Sequence, residues 1–182
     1  MRPLMLLLAL ALPACASIPA DSLRALQATD PATTELAALR AAVEMPDALR
    51  PRPGTARLAF RLGGREGRFG LEEDEAASRR AQQDAAPPAG RRITVFRLTA
   101  EGRDEMEAFR RLPAGRRMTI GIAADACRDG PLDDGPLMIG TWVSTAETGR
   151  LVALTRFDLR RVAGDAAIAA LPACAAPAEG PA

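Results

Sequence analysis

Short runs in which every second residue is apolar recur between residues 54 and 174, and they limit the fold more than any other feature of the chain. In one run, Leu58, Phe60 and Leu62 alternate with alanine and arginine, which is the period of a strand with one buried face. About six such runs, with one helical segment among them and no regular strand-helix alternation, predict a mainly β fold of the α+β class. We expect an antiparallel sheet or a two-sheet sandwich, with one inserted helix and a short N-terminal helix.

The predicted strands form two hairpins, a central strand and a strand that leads to Cys127. A glycine-rich turn joins the first hairpin, and apolar residues on both faces of residues 93–98 indicate a central strand. Phe157 starts a final edge element. The strands are predicted at residues 56–62, 69–71, 93–98, 118–124, 137–144 and 151–154.

Two helices are predicted from capping residues and apolar spacing. Thr99 is a suitable N-cap for the inserted helix, which runs to about Leu112. Asp30 can cap the short N-terminal helix with Pro31 at its first position, and Pro46 ends it. The apolar residues that recur near helical spacing in this second helix are Leu36, Leu39 and Val43.

The remaining segments are predicted to be linkers, a loop and a tail. Residues 31–53 form the short helix and its linker, which ends at Pro53 before the β-rich domain of residues 54–174. Residues 72–92 contain no large apolar residue, so we expect an exposed loop, whose clustered charges could alternatively contact a partner. Residues 175–182 are expected to be disordered.

The N-terminus has the parts of a secretory signal. Arg2 provides the charged start, residues 4–12 are apolar, and small residues precede Cys15. This apolar run is nine residues long, shorter than the roughly 20 that a membrane-spanning helix needs. We therefore predict a cleaved signal at residues 1–14 instead of a permanent membrane span.

The end of this segment resembles the lipobox of bacterial lipoproteins, with Leu12 three positions before the cysteine and Ala14 directly before it. The resemblance implies that the preceding residues are a lipoprotein signal peptide and that Cys15 becomes the first mature residue, carrying three acyl chains. Residues 15–30 would then be a lipidated tether. The resemblance also implies a cell-envelope protein that faces the periplasm, and it favours anchoring in the outer membrane over the inner membrane. Ordinary signal-peptidase cleavage after Ala16 is the alternative.

The other two cysteines are Cys127 and Cys174. A lone pair in an exported chain favours one disulfide over free thiols. By the chain-entropy model, closing a loop of about 48 residues stabilises a domain by roughly 4 kcal/mol. A redox-active pair is the alternative, but such pairs favour close C-x-x-C spacing.

Composition excludes several classes of function. All 24 basic residues are arginine, and once Arg2 leaves with the signal, 23 arginines face 23 acidic residues. A neutral chain does not fit a nucleic-acid partner, which would favour a strongly basic surface. The chain has no histidine, which removes the commonest general base and the commonest transition-metal ligand. We therefore predict neither an enzyme nor a cofactor.

An acidic loop is the strongest local match to a metal site. Asp125, Asp129 and Asp133 are weak candidate ligands because their spacing partly follows the calcium loop D-x-[DN]-x-[DN]-G. Cys127 stands where an oxygen ligand is needed, and Pro136 stands where the bidentate glutamate should be. Aspartate and glycine are also common in tight loops between strands, so we assign no metal.

Trp142 is the only tryptophan and a weak candidate for a binding contact. In a strand it falls on the opposite face from Ile139 and Val143. It could therefore meet a partner or ligand while the other face packs on the core. A core position for Trp142 is the alternative.

Together these features predict a lipid-anchored envelope protein that acts as a non-catalytic binding or adaptor module. Its partners would be the membrane, through the acyl chains on Cys15, and another envelope protein. The alternatives are a calcium-binding or small-ligand-binding periplasmic protein that uses Asp125, Asp129 and Asp133, and a histidine-free hydrolase.

Overall fold

The computed structural model describes residues 20–27, 29–111 and 118–174. In chain order, the elements are α1 (Ala20–Gln27), β1 (Arg40–Pro46), β2 (Leu49–Pro51), β3 (Arg57–Leu62), β4 (Arg65–Glu73), α2 (Glu75–Ala85), β5 (Arg91–Leu98), α3 (Ala100–Arg110), β6 (Met118–Ala123), β7 (Ala126–Arg128), β8 (Met138–Ser144), β9 (Val152–Asp158), α4 (Leu159–Ala163) and α5 (Asp165–Ala169).

Seven of these strands form one sheet, in the order β6-β3-β4-β5-β1-β8-β9. Every neighbouring pair is antiparallel, which confirms the predicted mainly antiparallel β structure. β1 also contacts β6, although three strands lie between them in the sheet, so the sheet is strongly curved. β2 and β7 form a separate two-stranded ribbon. The two-sheet sandwich, which was the other expectation, is not shown by the described strands.

Both predicted hairpins are present. In the first, Leu62 pairs with Arg65, and only Gly63 and Gly64 lie between the strands. Both glycines have positive φ angles, 59° and 88°, as a two-residue hairpin turn of type I′ requires. The second hairpin pairs β8 with β9.

The main core lies on the concave face of the sheet, and α3 packs against it. Thr99 caps α3 as predicted, because its hydroxyl accepts a 2.9 Å hydrogen bond from the Gly102 N–H. Phe109 lies edge-on to Phe60 and Phe69, with ring centroids 6.1 and 5.5 Å away, and each such pair contributes about 0.5–1.5 kcal/mol beyond area burial. The predicted end of this helix at Leu112 lies outside the described residues.

The predicted N-terminal helix within residues 31–53 is wrong. Residues 29–39 form turns, and the chain then enters β1, which lies between β5 and β8. Leu36 and Leu39 are buried in the core as predicted, but from turns instead of a helix. β1 does alternate, with Ala41, Val43 and Met45 in the main core and Arg40, Ala42 and Glu44 on the other face. Alanine on both faces weakens this period, and the spacing of Leu36, Leu39 and Val43 matched a helix instead. A helix, α1, lies instead in the predicted tether of residues 15–30.

The predicted exposed loop at residues 72–92 is wrong as a loop, although most of its residues are exposed as expected. β4 continues to Glu73, α2 follows, and β5 begins at Arg91. Asp74 caps α2 by accepting a 3.0 Å hydrogen bond from the Ala77 N–H. Polar side chains of α2 bond to the backbone of β5, so this helix is held without large apolar residues.

The predicted edge element at Phe157 is the end of β9, the edge strand of the sheet, and is followed by two unpredicted helices. Ile168 of α5 is 3% exposed and belongs to the main core. None of the helices among the described residues has the length and apolar character needed to span a bilayer. The predicted signal peptide, Cys15 and the predicted tail of residues 175–182 lie outside the described residues.

Candidate functional site

The acidic loop does not gather its aspartates around one point. The Asp129 carboxylate pairs with Arg50 of β2, and the Asp125 carboxylate lies 3.7 Å from the Arg52 guanidinium. Asp133 contributes its backbone carbonyl, which accepts a 2.7 Å hydrogen bond from an arginine of α4. Within the described ranges, no three His, Cys, Asp or Glu side chains are placed to share a metal ion. Each of the first two aspartates therefore has an arginine as its counter-ion.

Cys127 and Cys174 are joined in a disulfide. Cys127 lies in β7 and is 4% exposed. The chain around Cys174 runs beside β7, where the Arg128 N–H donates to the Pro172 carbonyl at 2.7 Å and the Cys174 N–H donates to the Arg128 carbonyl at 2.8 Å. The disulfide thus fastens the C-terminal segment to the two-stranded ribbon.

Trp142 lies on the convex face of the sheet and is half-buried. Its ring lies against Gly140, where a Cβ atom would collide with it. A second, smaller apolar cluster contains Trp142 together with Ala42, Ile93, Val95, Ala77, Ala81 and Leu151. Ile139 belongs to the main core on the other face. Trp142 therefore packs on the outer face of the sheet, in a cluster with residues that line a surface groove.

This groove, which we call the α2 groove, lies between α2 and the β8–β9 turn and has a volume of about 400 Å³. Three alanines spaced four residues apart, Ala77, Ala81 and Ala85, present small side chains to it. Leu151 lies on the turn side. The remaining lining residues are Arg40, Arg80, Asp84, Val95, Ser144, Gly149 and Arg150. Small side chains on the helix leave room above an apolar floor.

Arginines dominate the charge of the α2 groove. Arg40 lies 3.1 Å from the Asp74 carboxylate, and the pKa of that carboxyl is lowered, first by the hydrogen bond from the Ala77 N–H and then by the Arg40 charge. Arg80 and Arg150 form no ion pair with any described carboxylate. The groove thus has an apolar floor and two arginine side chains that lack a carboxylate partner among the described residues.

A second, more polar cavity of about 600 Å³ lies between residues 51–57, β4 and the first turn of α3. Its lining residues include Glu73, Glu101, Glu105 and Arg57. The pKa of the Glu73 carboxyl is raised, mainly by partial loss of hydration and then by the nearby charge of Glu75.

Sequence reasoning missed both cavities, because each is lined by residues far apart in the chain. The one local signal for the α2 groove is the four-residue spacing of Ala77, Ala81 and Ala85, which places these residues on one face of a helix. Because this segment was predicted to be a loop, the three alanines were not expected to share a face.

No protein-family model, curated protein or solved structure matches this chain. Function is therefore argued from the chemistry of the candidate site.

Proposed function

We propose that this chain is a lipid-anchored protein of the cell envelope that faces the periplasm. We favour the outer membrane over the inner membrane as the site of the anchor. Its β-rich domain acts as a non-catalytic binding or adaptor module for another envelope protein. The anchor is supported by the lipobox-like residues before Cys15. The Cys127–Cys174 disulfide fits an oxidising compartment such as the periplasm.

The observation that carries the binding role is the α2 groove. Specific ligand sites combine an apolar surface with a few polar groups that fix orientation. The groove has both, because Ala81 and Leu151 provide apolar surface while Arg80 and Arg150 provide charged groups. It is also open to solvent, so a partner would reach it without rearrangement of the sheet.

An anchor at Cys15 would keep this groove close to the membrane. Cys15 precedes the first residue of α1 by five positions, and an extended chain of that length spans at most about 18 Å. The segment after α1 packs on the β8–β9 turn, where the Thr29 and Thr145 hydroxyls are 3.0 Å apart. Confinement near a surface raises the effective concentration of a module for partners on that surface.

Intact mass and membrane fractionation of the native protein test the anchor. We expect a mature chain that starts at Cys15, carries acyl chains and sediments with membranes. The Cys15→Ala variant should be unprocessed or released. Ser17→Ala is the matched control, and it should keep both the acyl mass and the membrane fraction.

Cross-linking at the membrane then tests the adaptor role. A specific envelope protein recovered with the native protein, and lost when Arg80 and Arg150 are replaced by glutamine, supports it. An unmodified chain that starts at Ser17 contradicts the anchor, and this outcome moves the protein to a soluble periplasmic or secreted state.

A histidine-free hydrolase is the second candidate, and one observation favours it. Glu73 lines the polar cavity and its carboxyl has a raised pKa, which is a property of general acids. Turnover in a panel of ester, glycoside and peptide substrates that disappears in Glu73→Gln, but persists in Glu72→Gln, would favour this candidate over the adaptor role.

A further inference from the structure

We infer that the α2 groove binds an extended segment of a partner protein in which apolar side chains are flanked by carboxylates. This inference rests on the proposed function as a binding module and adds the chemistry of the bound segment. It is argued from the charge of the groove, the character of its floor and the shape of its opening.

The charge of the groove is complementary to carboxylates. Arg80 on α2 and Arg150 on the β8–β9 turn approach the groove from opposite walls, and neither pairs with an acid in the part of the chain that the structure describes. An arginine guanidinium binds a carboxylate through two parallel hydrogen bonds when the geometry allows. Two carboxylates of one segment can therefore be bound, one on each wall.

The floor of the groove accepts an apolar side chain. Ala77, Ala81 and Leu151 are each half-buried, so part of their apolar surface still faces solvent. Covering such surface is favourable in proportion to the area removed from water. A leucine-sized side chain between two carboxylates would cover the floor while its neighbours reach the arginines.

The shape of the groove favours a peptide over a membrane surface. The floor is recessed between a helix and a turn, so a single chain can enter it but a flat bilayer cannot. Asp84 also lines the groove, and its carboxylate can accept hydrogen bonds from the N–H groups of an extended segment, which a lipid headgroup layer does not supply.

Trp142 provides a readout of binding through the apolar cluster that it shares with residues of the groove. It is the only tryptophan in the chain and belongs to the same cluster as Ala77, Ala81 and Leu151. A ligand that covers the floor changes the surroundings of this one ring. A change in tryptophan fluorescence on binding can therefore be assigned to Trp142, because no other tryptophan contributes to the signal.

The experiment uses the natively processed full chain in phosphatidylcholine nanodiscs. The probe is an acetylated, amidated peptide of sequence Glu-Asp-Leu-Leu-Asp-Glu, and the comparison peptide is its neutral counterpart Gln-Asn-Leu-Leu-Asn-Gln. We expect a saturable change in Trp142 fluorescence with the acidic peptide and a much weaker one with the neutral peptide. Exposed ion pairs contribute about two- to fivefold each in affinity, so Arg80→Gln/Arg150→Gln should weaken binding by about tenfold.

Matched variants separate the groove from general charge. Arg103→Gln/Arg161→Gln removes two exposed arginines outside the groove, and it should leave the affinity unchanged. Leu151→Ala should weaken both peptides severalfold, and an unchanged far-ultraviolet spectrum shows that the variant is folded.

Several outcomes overturn the inference. They are the absence of a saturable change with the acidic peptide, equal affinity for the neutral peptide, and full affinity in the Arg80→Gln/Arg150→Gln variant. A fluorescence change with phosphatidylglycerol vesicles but not with the acidic peptide overturns it in favour of a lipid surface. Binding of the acidic peptide by a native chain that carries no acyl groups would support this site and contradict the proposed anchor. Failure of the peptide site can therefore be distinguished from failure of the anchor.

Discussion

The Ser78 hydroxyl of α2 bonds to both backbone polar groups of Val95 in β5, whose carbonyl also accepts from the Asp74 N–H at 2.8 Å. The hydroxyl accepts from the Val95 N–H at 2.8 Å and donates to the Val95 carbonyl at 3.4 Å. The Gln82 side chain bonds to two further backbone groups of β5. It accepts from the Ile93 N–H at 2.8 Å and donates to the Arg91 carbonyl at 3.1 Å. β4 pairs only with the last residues of β5, so helix side chains here take the place of a neighbouring strand.

Ser78→Ala should destabilise the protein by about 1–3 kcal/mol, because it leaves a buried N–H of β5 without its acceptor. Chemical denaturation measures the change in the free energy of unfolding. Gln83→Ala, on the exposed face of the same helix, is the control and should stay within about 0.5 kcal/mol of the parent. Equal losses in the two variants would contradict the role of Ser78.

Asp74→Ala should cost about 0.5–2 kcal/mol, because α2 loses its N-cap. Asp74→Asn retains a capping oxygen and loses only the charge beside Arg40, so its cost should be smaller. The folded pKa of Asp74 is lowered from its ordinary value of 3.8. The stability from its charge is therefore present above that value and is lost as the pH falls through the folded pKa.

The pH dependence can be measured as the difference in unfolding free energy between the parent and Asp74→Asn. This difference should be constant near neutral pH and should shrink below about pH 4. A difference that instead grows on acidification would contradict the assigned direction of the pKa shift.

Glu44→Leu should destabilise the protein by about 3–5 kcal/mol, because it leaves a buried arginine without its counter-ion. Glu44 of β1 pairs with Arg91 of β5, and their side chains are only 11% and 14% exposed. Arg91 also donates to the Met138 carbonyl at 2.7 Å. Thermal and chemical unfolding of Glu44→Leu, Arg91→Met and the double variant measure the coupling between them.

The exposed pair Arg61–Glu66, at 2.8 Å, is the control for that cycle. Glu66→Gln should leave the free energy of unfolding almost unchanged, because an exposed ion pair contributes little. We expect the double variant of the buried pair to recover part of the loss, since no unpaired charge remains. Additive losses would show that the two buried residues act independently.

Cys127→Ser/Cys174→Ser should lower the free energy of unfolding by about 2–5 kcal/mol. The bond joins residues 47 positions apart and holds the segment that leads from α5 to Cys174. Hydrogen exchange at the Arg128 and Cys174 amides should become faster, because both amides bond across this contact. Two free thiols by mass in the unreduced periplasmic protein would refute the disulfide.

Millimolar calcium should leave the melting temperature unchanged when ionic strength is matched with sodium chloride. Asp125 and Asp129 already pair with Arg52 and Arg50, and displacing an arginine from each would oppose binding. A calcium-dependent rise that disappears in Asp125→Asn/Asp129→Asn would contradict this expectation and support a carrier of calcium.

Local patterns sufficed for the parts of the fold that depend on neighbouring residues. The hairpin at Gly63 and Gly64, the central strand β5 and the Thr99 cap each follow from a short stretch of sequence. The strand β1 was hidden because Val43 faces the main core while Ala42 faces the outer cluster. Alanine on both faces weakens the contrast between them, although Arg40 and Glu44 lie on the outer side, so the helix-like spacing of the leucines before β1 dominated the prediction.

The candidate site was less accessible to sequence reasoning. α2 is attached to β5 by Ser78 and Gln82, and polar side chains at these positions indicate solvent exposure when only hydropathy is considered. The groove also needs Arg150, which is distant in sequence from α2 and comes close only through the sheet order β5-β1-β8. The closeness of Arg150 to α2 therefore depends on the strand order of the sheet, which local sequence patterns do not give.

The two ends of β1 set the orientation of an anchored molecule. The first residue of β1, Arg40, pairs with Ser144 near the turn that holds the N-terminal segment, whereas the far end of β1 leads into the ribbon that is bonded to Cys174. A seven-residue strand is about 20 Å long. With Cys15 in a bilayer and β1 perpendicular to it, a fluorophore on the C-terminal segment would be about 20 Å higher above the lipid than one on the β8–β9 turn, and depth-dependent quenching of the two positions would test this orientation.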